Sequence, residues 1–289
     1  YFERYGGEKP TATPVSRYAH LLAKTGNKTK AVEQFRQAMA LALAGSVNSS
    51  PQDSRVLVLT EAIRAVADEV LATFTVDEAI GIFAADAPDG ALGKANERIL
   101  IRAYTAAKRY DDAAARLDAL VQTAVDPHER AELLQELGDV HQVADQPERA
   151  IHDYEEARKY DADNWITQNN LAYLLSEKRG DNQAALPFAQ RAVALKDNAF
   201  TLDTLGWIYV GLEQYSLATA ELSRGIQLDP DYSLLYYHLG EAYRRNAQFS
   251  EAADVLKNGR VVADNSKDTE LVGLIETALE KSSRRDAAP

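Results

Sequence analysis

Residues 205–218 read LGWIYVGLEQYSLA, with a glycine near the start of an otherwise helix-forming stretch. Glycine inside a helix costs roughly 0.5–1 kcal/mol relative to alanine. Residues 239–252 read LGEAYRRNAQFSEA and repeat the leucine, glycine, tyrosine and alanine at the same places, 34 residues further on. Because a glycine recurs at the same place in both stretches despite its cost, the sequence indicates a structural requirement for a small residue at Gly206 and Gly240.

The same interval recurs along much of the chain. Small residues fall 34 residues apart at Gly138, Ala172, Gly206 and Gly240, and an alanine follows twelve residues after each of them. Alanine, leucine, glutamate and glutamine are frequent, which favours helix over strand. Polar breaks such as Asp229–Pro230 separate the segments, as expected where helices end. A fixed interval of this size is typical of a repeat architecture.

This pattern resembles the tetratricopeptide repeat, a 34-residue helix–turn–helix unit, as it occurs in bacterial multi-repeat scaffold proteins. The resemblance implies an all-α fold, a right-handed α-solenoid (superhelix) of stacked helix pairs with a C-terminal capping helix. The small residues would let the two helices of a unit approach closely, with Ala218 expected opposite Gly206. We predict these segments: a stub of a preceding repeat helix (1–11), divergent helical pairs (12–93), five units (94–130, 131–164, 165–198, 199–232 and 233–266), a capping helix (267–283) and a disordered tail (284–289).

Composition and motifs argue against several classes of function. The net charge is −12 and no basic stripe is present, which disfavours nucleic-acid binding. The chain has no cysteine, which excludes disulfides and thiol chemistry. No apolar run approaches the ~18 residues of a membrane-spanning helix. We find no phosphate-binding, zinc-protease or hydrolase motif, and His141 and His152 are expected to be repeat and surface residues, so we expect no enzyme activity, metal or cofactor.

The resemblance also indicates where a partner would bind. In tetratricopeptide repeats the concave groove is lined by the second, fifth, ninth, twelfth and thirteenth positions of each unit, and an asparagine at the sixth can hold a ligand backbone. Tyr173, Trp207 and Tyr237 are the expected aromatic anchors, unless they pack against the neighbouring first helix instead; Phe200 also falls at a lining position. The candidate groove residues are Arg98, Arg102, Gln135, Asp139, Asn169, Asn170, Tyr173, Asp203, Trp207, Tyr237, Glu241 and Arg244.

The expected function is a non-enzymatic protein–protein interaction scaffold that binds a peptide segment or partner subunit in this groove. One alternative is a non-catalytic arm of a larger enzyme or of a bacterial exopolysaccharide-export machine, and another is a self-assembling oligomerisation module. Residues 131–164 hold ten acidic and three basic residues, which indicates either a solvated face or a docking surface for a basic segment. The chain opens without a methionine, so we expect a fragment whose targeting segment is missing, and both cytoplasm and periplasm stay open.

Overall fold

The computed structural model describes residues 12–46, 65–84 and 90–286. Within these residues the chain is α-helical apart from short turns, and it has no strand. The all-α prediction is therefore confirmed for the described part of the chain. The chain divides into two compact units, Tyr1–Thr123 (unit 1) and Ala124–Pro289 (unit 2). The predicted stub, 1–11, lies outside the described residues.

Unit 1 packs its helices around a core that includes Phe35, Phe74 and Phe83. The rings of Phe35 and Phe74 meet edge to face, with centroids 6.2 Å apart. Helix α1 packs on α2, α4 packs on α5, and α5 also contacts α2 and α6. Helices α3 and α4 fall in the region that the sequence predicts to hold divergent helical pairs. The helices of unit 1 are α1 (Ala12–Lys24), α2 (Lys28–Ser46), α3 (65–73), α4 (Val76–Ala84), α5 (Gly90–Ala106) and α6 (Tyr110–Thr123).

Unit 2 is a solenoid of four helix–turn–helix pairs followed by one further helix. Each second helix packs on the first helix of the next pair, and the first helices α9, α11, α13 and α15 contact one another side by side. Helix α15 ends at Asp286, so the predicted tail (284–289) begins too early; the last three residues lie outside the described part. The helices are α7 (Pro127–Val143), α8 (Pro147–Tyr160), α9 (Trp165–Glu177), α10 (Asn182–Leu195), α11 (Ala199–Gly211), α12 (Tyr215–Leu228), α13 (Ser233–Arg245), α14 (Phe249–Ser266) and α15 (Thr269–Asp286).

Capping side chains explain where several of these helices begin. Asp126 accepts a hydrogen bond from a backbone N–H of the first turn of α7, and Asn164 and Asp181 do the same for α9 and α10. Asn198 and Thr201 form a reciprocal capping box at α11. Such caps satisfy backbone donors that have no partner within the helix, and each contributes about 1 kcal/mol.

Helices α11 and α12 touch at Gly206. A Cβ atom placed on Gly206 would lie 2.5 Å from Cγ of Leu222, closer than carbon atoms can approach. Leu222 is fully buried, and its side chain occupies the space above the glycine. The sequence predicts Ala218 opposite Gly206; Ala218 is also buried, but the three atoms nearest to that Cβ position all belong to Leu222.

Two further pairs use the same contact at the same separation along the chain. A Cβ atom on Gly240 would lie 2.4 Å from Cγ of Leu256, and one on Gly138 would lie 2.6 Å from the ring of Tyr154. In all three pairs the glycine therefore faces a large residue of the second helix. None of these glycines has a positive φ, so the requirement is for small size, as the sequence predicts.

Replacing Gly206 by alanine should lower the free energy of unfolding by about 1–3 kcal/mol, because the new methyl group overlaps the branch point of Leu222. Urea denaturation measures this change. Gly273→Ala is the matched control, since its Cβ would meet nothing within 4 Å on α15, and it should stabilise by up to about 1 kcal/mol. Equal effects of the two substitutions would contradict the assigned contact.

The turns inside the pairs α1–α2 and α5–α6 and inside the four pairs of unit 2 each have one residue with a positive φ. This left-handed conformation suits glycine and costs other residues roughly 1–2 kcal/mol. Only two of these positions hold glycine, so the turn geometry is imposed by the pairing of the helices. The residues are Gly26, Lys108, Asp145, Gly180, Glu213 and Ala247.

We expect Ala247→Gly to raise the free energy of unfolding by about 0.5–1 kcal/mol, because glycine adopts the left-handed conformation without the Cβ clash. The same substitution at Ala220, exposed in the interior of α12, should lower it by a similar amount. Chemical denaturation of both variants gives opposite signs if the turn is as described.

Ion pairs connect consecutive helix pairs of unit 2. Several of the acidic residues of segment 131–164 take part in them. In each of them a basic residue of one pair meets an acidic residue that precedes it by about one repeat. Glu148, for instance, has a lowered pKa chiefly because it accepts hydrogen bonds from Arg179. The acidic segment is therefore partly neutralised within the chain. The pairs are Asp145–Lys178, Glu148–Arg179, Asp163–Arg191 and Asp197–Arg224.

Candidate functional site

A cleft of about 460 Å³ lies on the first-helix face of unit 2. Its walls come from α7, α9, α11, α13 and α15, since the repeat places equivalent positions of successive first helices side by side. Six of the twelve candidate groove residues line it, and the structure brings them together: Asn169, Asn170, Tyr173, Asp203, Trp207 and Tyr237. The other lining residues are Gln142, Ser176, Glu177, Phe200, Thr204, Ile208, Tyr232, Leu234, His238 and Leu274.

Trp207 connects three first helices across the cleft. Its ring stacks on His238 of α13, with centroids 4.2 Å apart, and its indole N–H donates to Glu177 of α9. The guanidinium of Arg245 lies 5.3 Å from the ring centroid, and Tyr237 packs alongside at 6.5 Å. Trp207 and Tyr237 therefore pack against neighbouring first helices.

Two aromatic side chains of the cleft keep much of their surface exposed. Tyr173 is 40% exposed and Phe200 is 55% exposed. The ring of Phe200 contacts only one other ring among the described residues, that of Tyr232, with centroids 5.0 Å apart. These two rings are the apolar surfaces of the cleft that a partner would cover most fully.

A buried acid–base pair forms the floor beneath Trp207. The Nδ1 atom of His238 lies 2.7 Å from Oδ1 of Asp203, and both side chains are about one-tenth exposed. Burial, together with the charge of Asp203, raises the pKa of Tyr232 above its ordinary value, so this phenol stays protonated and hydrogen bonds to Asp203. Sequence analysis missed His238, although it stands at the sixth position of its unit, as Asn170 does.

Asn170 is held in place by a network behind the cleft. Its side-chain N–H₂ donates to Oδ1 of Asp139 and to the hydroxyl of Tyr154, both at 3.2 Å. Tyr154 donates to Asp139 at 2.6 Å, and its burial raises its pKa, so the phenol keeps its proton. The donor end of the Asn170 amide is thus occupied, and its carbonyl end stays available to a ligand. Asn169 differs, because its Oδ1 is buried and has no hydrogen-bond partner among the described residues.

The remaining candidates of unit 2 lie outside the lining and have internal partners. Gln135 accepts a hydrogen bond from Asn164 at 2.7 Å. Glu241 is 5% exposed, and its carboxylate lies 2.7 Å from Nε of Arg244 and 3.4 Å from Nε of Arg245. These side chains stabilise contacts near the first-helix face and are not offered to a partner in the cleft.

Two candidates belong to unit 1. Arg102 forms an ion pair with Asp68, with its Nε 2.9 Å from the carboxylate. Arg98 lies on the same helix, α5, is partly buried and also interacts within the chain. Neither of them is a lining residue of the cleft in unit 2.

The described residues contain no group of three or more histidine, cysteine, aspartate or glutamate side chains that could hold a metal ion. His141 lies in a buried pair, with Nδ1 2.5 Å from Oδ2 of Asp153, whereas His152 is exposed. The two histidines therefore have separate surroundings. No helix in the described part of the chain is long and apolar enough to cross a membrane.

Comparison with known proteins identifies the family. Two sequence-family models described as tetratricopeptide repeat match residues 136–200, 204–258 and 16–44, which together make up just over half of the chain. The chain belongs to the tetratricopeptide repeat family. Among curated protein sequences, none matches it significantly.

Solved structures share the tetratricopeptide repeat fold. A crystal structure of MamA superposes with a TM-score of 0.51 and 19% identity, covering 58% of this chain and 97% of that chain. The crystal structure of the APC/C hetero-tetramer Cut9–Hcn1 superposes with a TM-score of 0.58 and 14% identity, covering 93% of this chain and 53% of that chain. At these identities the likeness concerns the fold alone.

We expect Glu241→Gln to lower the free energy of unfolding by about 1–2 kcal/mol at pH 7, a value reduced because solvent screens the partly exposed guanidinium groups. Burial opposes the charge, but Arg244 and Arg245 hold the pKa of Glu241 below its ordinary 4.5. A lowered folded pKa stabilises the fold above pH 4.5, and that contribution is lost as the pH falls through the folded value.

Urea denaturation at pH 7 and at successively lower pH measures the difference between the wild-type chain and this variant. The difference should shrink on acidification. Glu213→Gln is the control, because Glu213 is exposed and forms no ion pair among the described residues. A difference that stays constant with pH would show that Glu241 is not ionised in the folded chain.

Proposed function

We propose that this chain is a non-enzymatic scaffold that binds an extended segment of a partner protein in the cleft of unit 2. Tetratricopeptide repeats are generally non-catalytic protein-interaction modules, so family membership supports a protein partner. The observation that carries the finer proposal is the convergence of six candidate residues on one cleft, beside the exposed rings of Tyr173 and Phe200. The volume of the cleft falls within the range of specific ligand sites, about 300–1,000 Å³.

The two exposed rings supply the apolar part of the binding energy. Fully burying an aromatic side chain contributes about 1.5–3 kcal/mol relative to leaving it exposed. Aromatic residues in the centre of an interface are also those whose truncation costs most. Tyr173 and Phe200 are therefore the anchors in this proposal, while Trp207 and Tyr237 form the wall against which a side chain of the partner packs.

The asparagine amides supply the polar part. An extended segment offers one backbone N–H and one C=O per residue, and these groups need partners when they are buried. Asn170 presents its carbonyl oxygen from a side chain already fixed by Asp139 and Tyr154, which reduces the entropy lost on binding. Asn169 lines the cleft beside it, and its buried Oδ1 has no hydrogen-bond partner among the described residues.

A displayed library of random dodecapeptides, panned on the whole chain, tests this proposal. Selected peptides should bind the wild-type chain, and Phe200→Ala or Tyr173→Ala should weaken them at least about tenfold, because each change removes an exposed aromatic anchor. Fluorescence polarisation with the synthetic peptides gives the dissociation constants. Circular dichroism checks that both variants remain folded.

Val261→Ala is the matched control, since it truncates an exposed apolar side chain on the second helix α14. It should leave peptide binding unchanged. Selection of no peptide, or equal binding to the wild-type, Phe200→Ala and Tyr173→Ala chains, would overturn the proposal. Light scattering of the same samples distinguishes peptide capture from self-assembly of the chain.

A further inference from the structure

The charged side chains that line the cleft are acidic. Glu177 and Asp203 are among the lining residues, and no lysine or arginine is. The one basic group in the lining is His238, which is buried against Asp203. Glu177 is exposed, accepts a hydrogen bond from the indole of Trp207 and forms no ion pair among the described residues.

The basic side chains nearest to the cleft have carboxylate partners elsewhere. Lys178 follows Glu177 directly, but its ammonium lies 3.0 Å from Asp145. Arg244 and Arg245 at the end of α13 both pair with the buried Glu241. The neighbouring cations are therefore ion-paired with carboxylates outside the lining, and the exposed charged side chain within the lining is Glu177.

We propose that the segment bound in the cleft is basic, and that its lysine or arginine side chains lie against Tyr173 and Phe200 within the field of Glu177 and Asp203. This inference rests on the proposed function and specifies the chemistry of the partner.

The exposed rings suit a cation as well as an apolar group. A guanidinium or ammonium within about 6 Å of an aromatic centroid is attracted by the ring quadrupole, and the attraction grows when the contact is desolvated. Unit 2 already uses this contact internally: the guanidinium of Arg158 lies 4.6 Å from the ring centroid of Phe188, and that of Arg245 lies 5.3 Å from Trp207. Tyr173 and Phe200 offer exposed ring surface in the same lining as the exposed carboxylate of Glu177.

Electrostatic complementarity also favours a basic segment over an acidic one. An acidic segment would bring like charges together over Glu177 and Asp203, and this repulsion weakens its binding. A basic segment gains attraction at both positions, and its binding must weaken as salt screens the charges. The direction of selectivity and its salt dependence therefore follow from the same lining residues.

The dodecapeptides selected on the wild-type chain test the inference directly. Sequences lost on Phe200→Ala are expected to be enriched in lysine and arginine relative to the starting library. For the tightest such peptide, replacing its arginine by citrulline, which keeps the shape and removes the charge, should weaken binding by about 3- to 10-fold. Replacement by glutamate should weaken it further, and raising the salt from about 50 to 500 mM should reduce the difference.

Substitutions in the chain test whether the charge of Glu177 attracts the basic peptide. Glu177→Gln keeps the acceptor for Trp207 and should weaken the basic peptide by about 3-fold or more, and Glu177→Lys should weaken it by more than about 10-fold. Glu213→Gln and Glu213→Lys make the same changes of charge at an exposed glutamate outside the lining. The Glu213 variants should bind as the wild-type chain does.

The outcomes separate this inference from the proposed function. Peptides that need Phe200 but are neutral or acidic would overturn the inference and leave the proposed function standing. Basic peptides that bind the Phe200→Ala and Glu177→Lys chains as tightly as the wild-type chain would show docking on another surface, such as the acidic segment 131–164, and would overturn both. Peptides that need Phe200 and lose affinity on the citrulline replacement support both.

Discussion

The architecture of unit 2 depends on a contact between a glycine in a first helix and a large side chain in the second helix of the same pair. At Gly206 the absence of a Cβ lets Leu222 lie directly on the helix backbone. That closeness fixes the position of the second helix and, through it, the first helix of the next pair. The spacing of the first helices, and hence the cleft between them, therefore depends on the absence of a Cβ atom at this position.

The interval of small residues predicts the fold because the contact repeats with each pair, and helix boundaries follow from caps such as Asn198 that the sequence shows directly. The interval does not reveal which residue fills the space over the glycine. Ala218 recurs at a fixed distance and is buried, yet the contact belongs to Leu222, whose equivalent in an earlier pair is a tyrosine, Tyr154. A close approach of two helices requires a small residue on one helix but does not determine which large residue faces it on the other. Residues that recur between repeats therefore do not identify the facing residue.

Repeat positions predict which residues face the cleft, and they do so for Asn169, Tyr173 and Trp207. They do not predict how much of a side chain remains exposed, because that is decided by neighbours far away in sequence. Glu241 holds a lining position in the repeat, yet it is buried with two arginines. His238 was missed because its importance comes from Asp203, 35 residues earlier, to which it is hydrogen bonded.

The ion pairs that connect consecutive helix pairs of unit 2 respond to salt, unlike the buried glycine contacts within each pair. Each of them, such as Asp197–Arg224 at 3.1 Å, is exposed and crosses from one pair to the next. Exposed pairs contribute less than about 1 kcal/mol each and are screened by salt, so they scarcely alter the stability of a single pair. Higher ionic strength therefore weakens a surface link between neighbouring helix pairs and leaves the buried glycine contact within each pair in place.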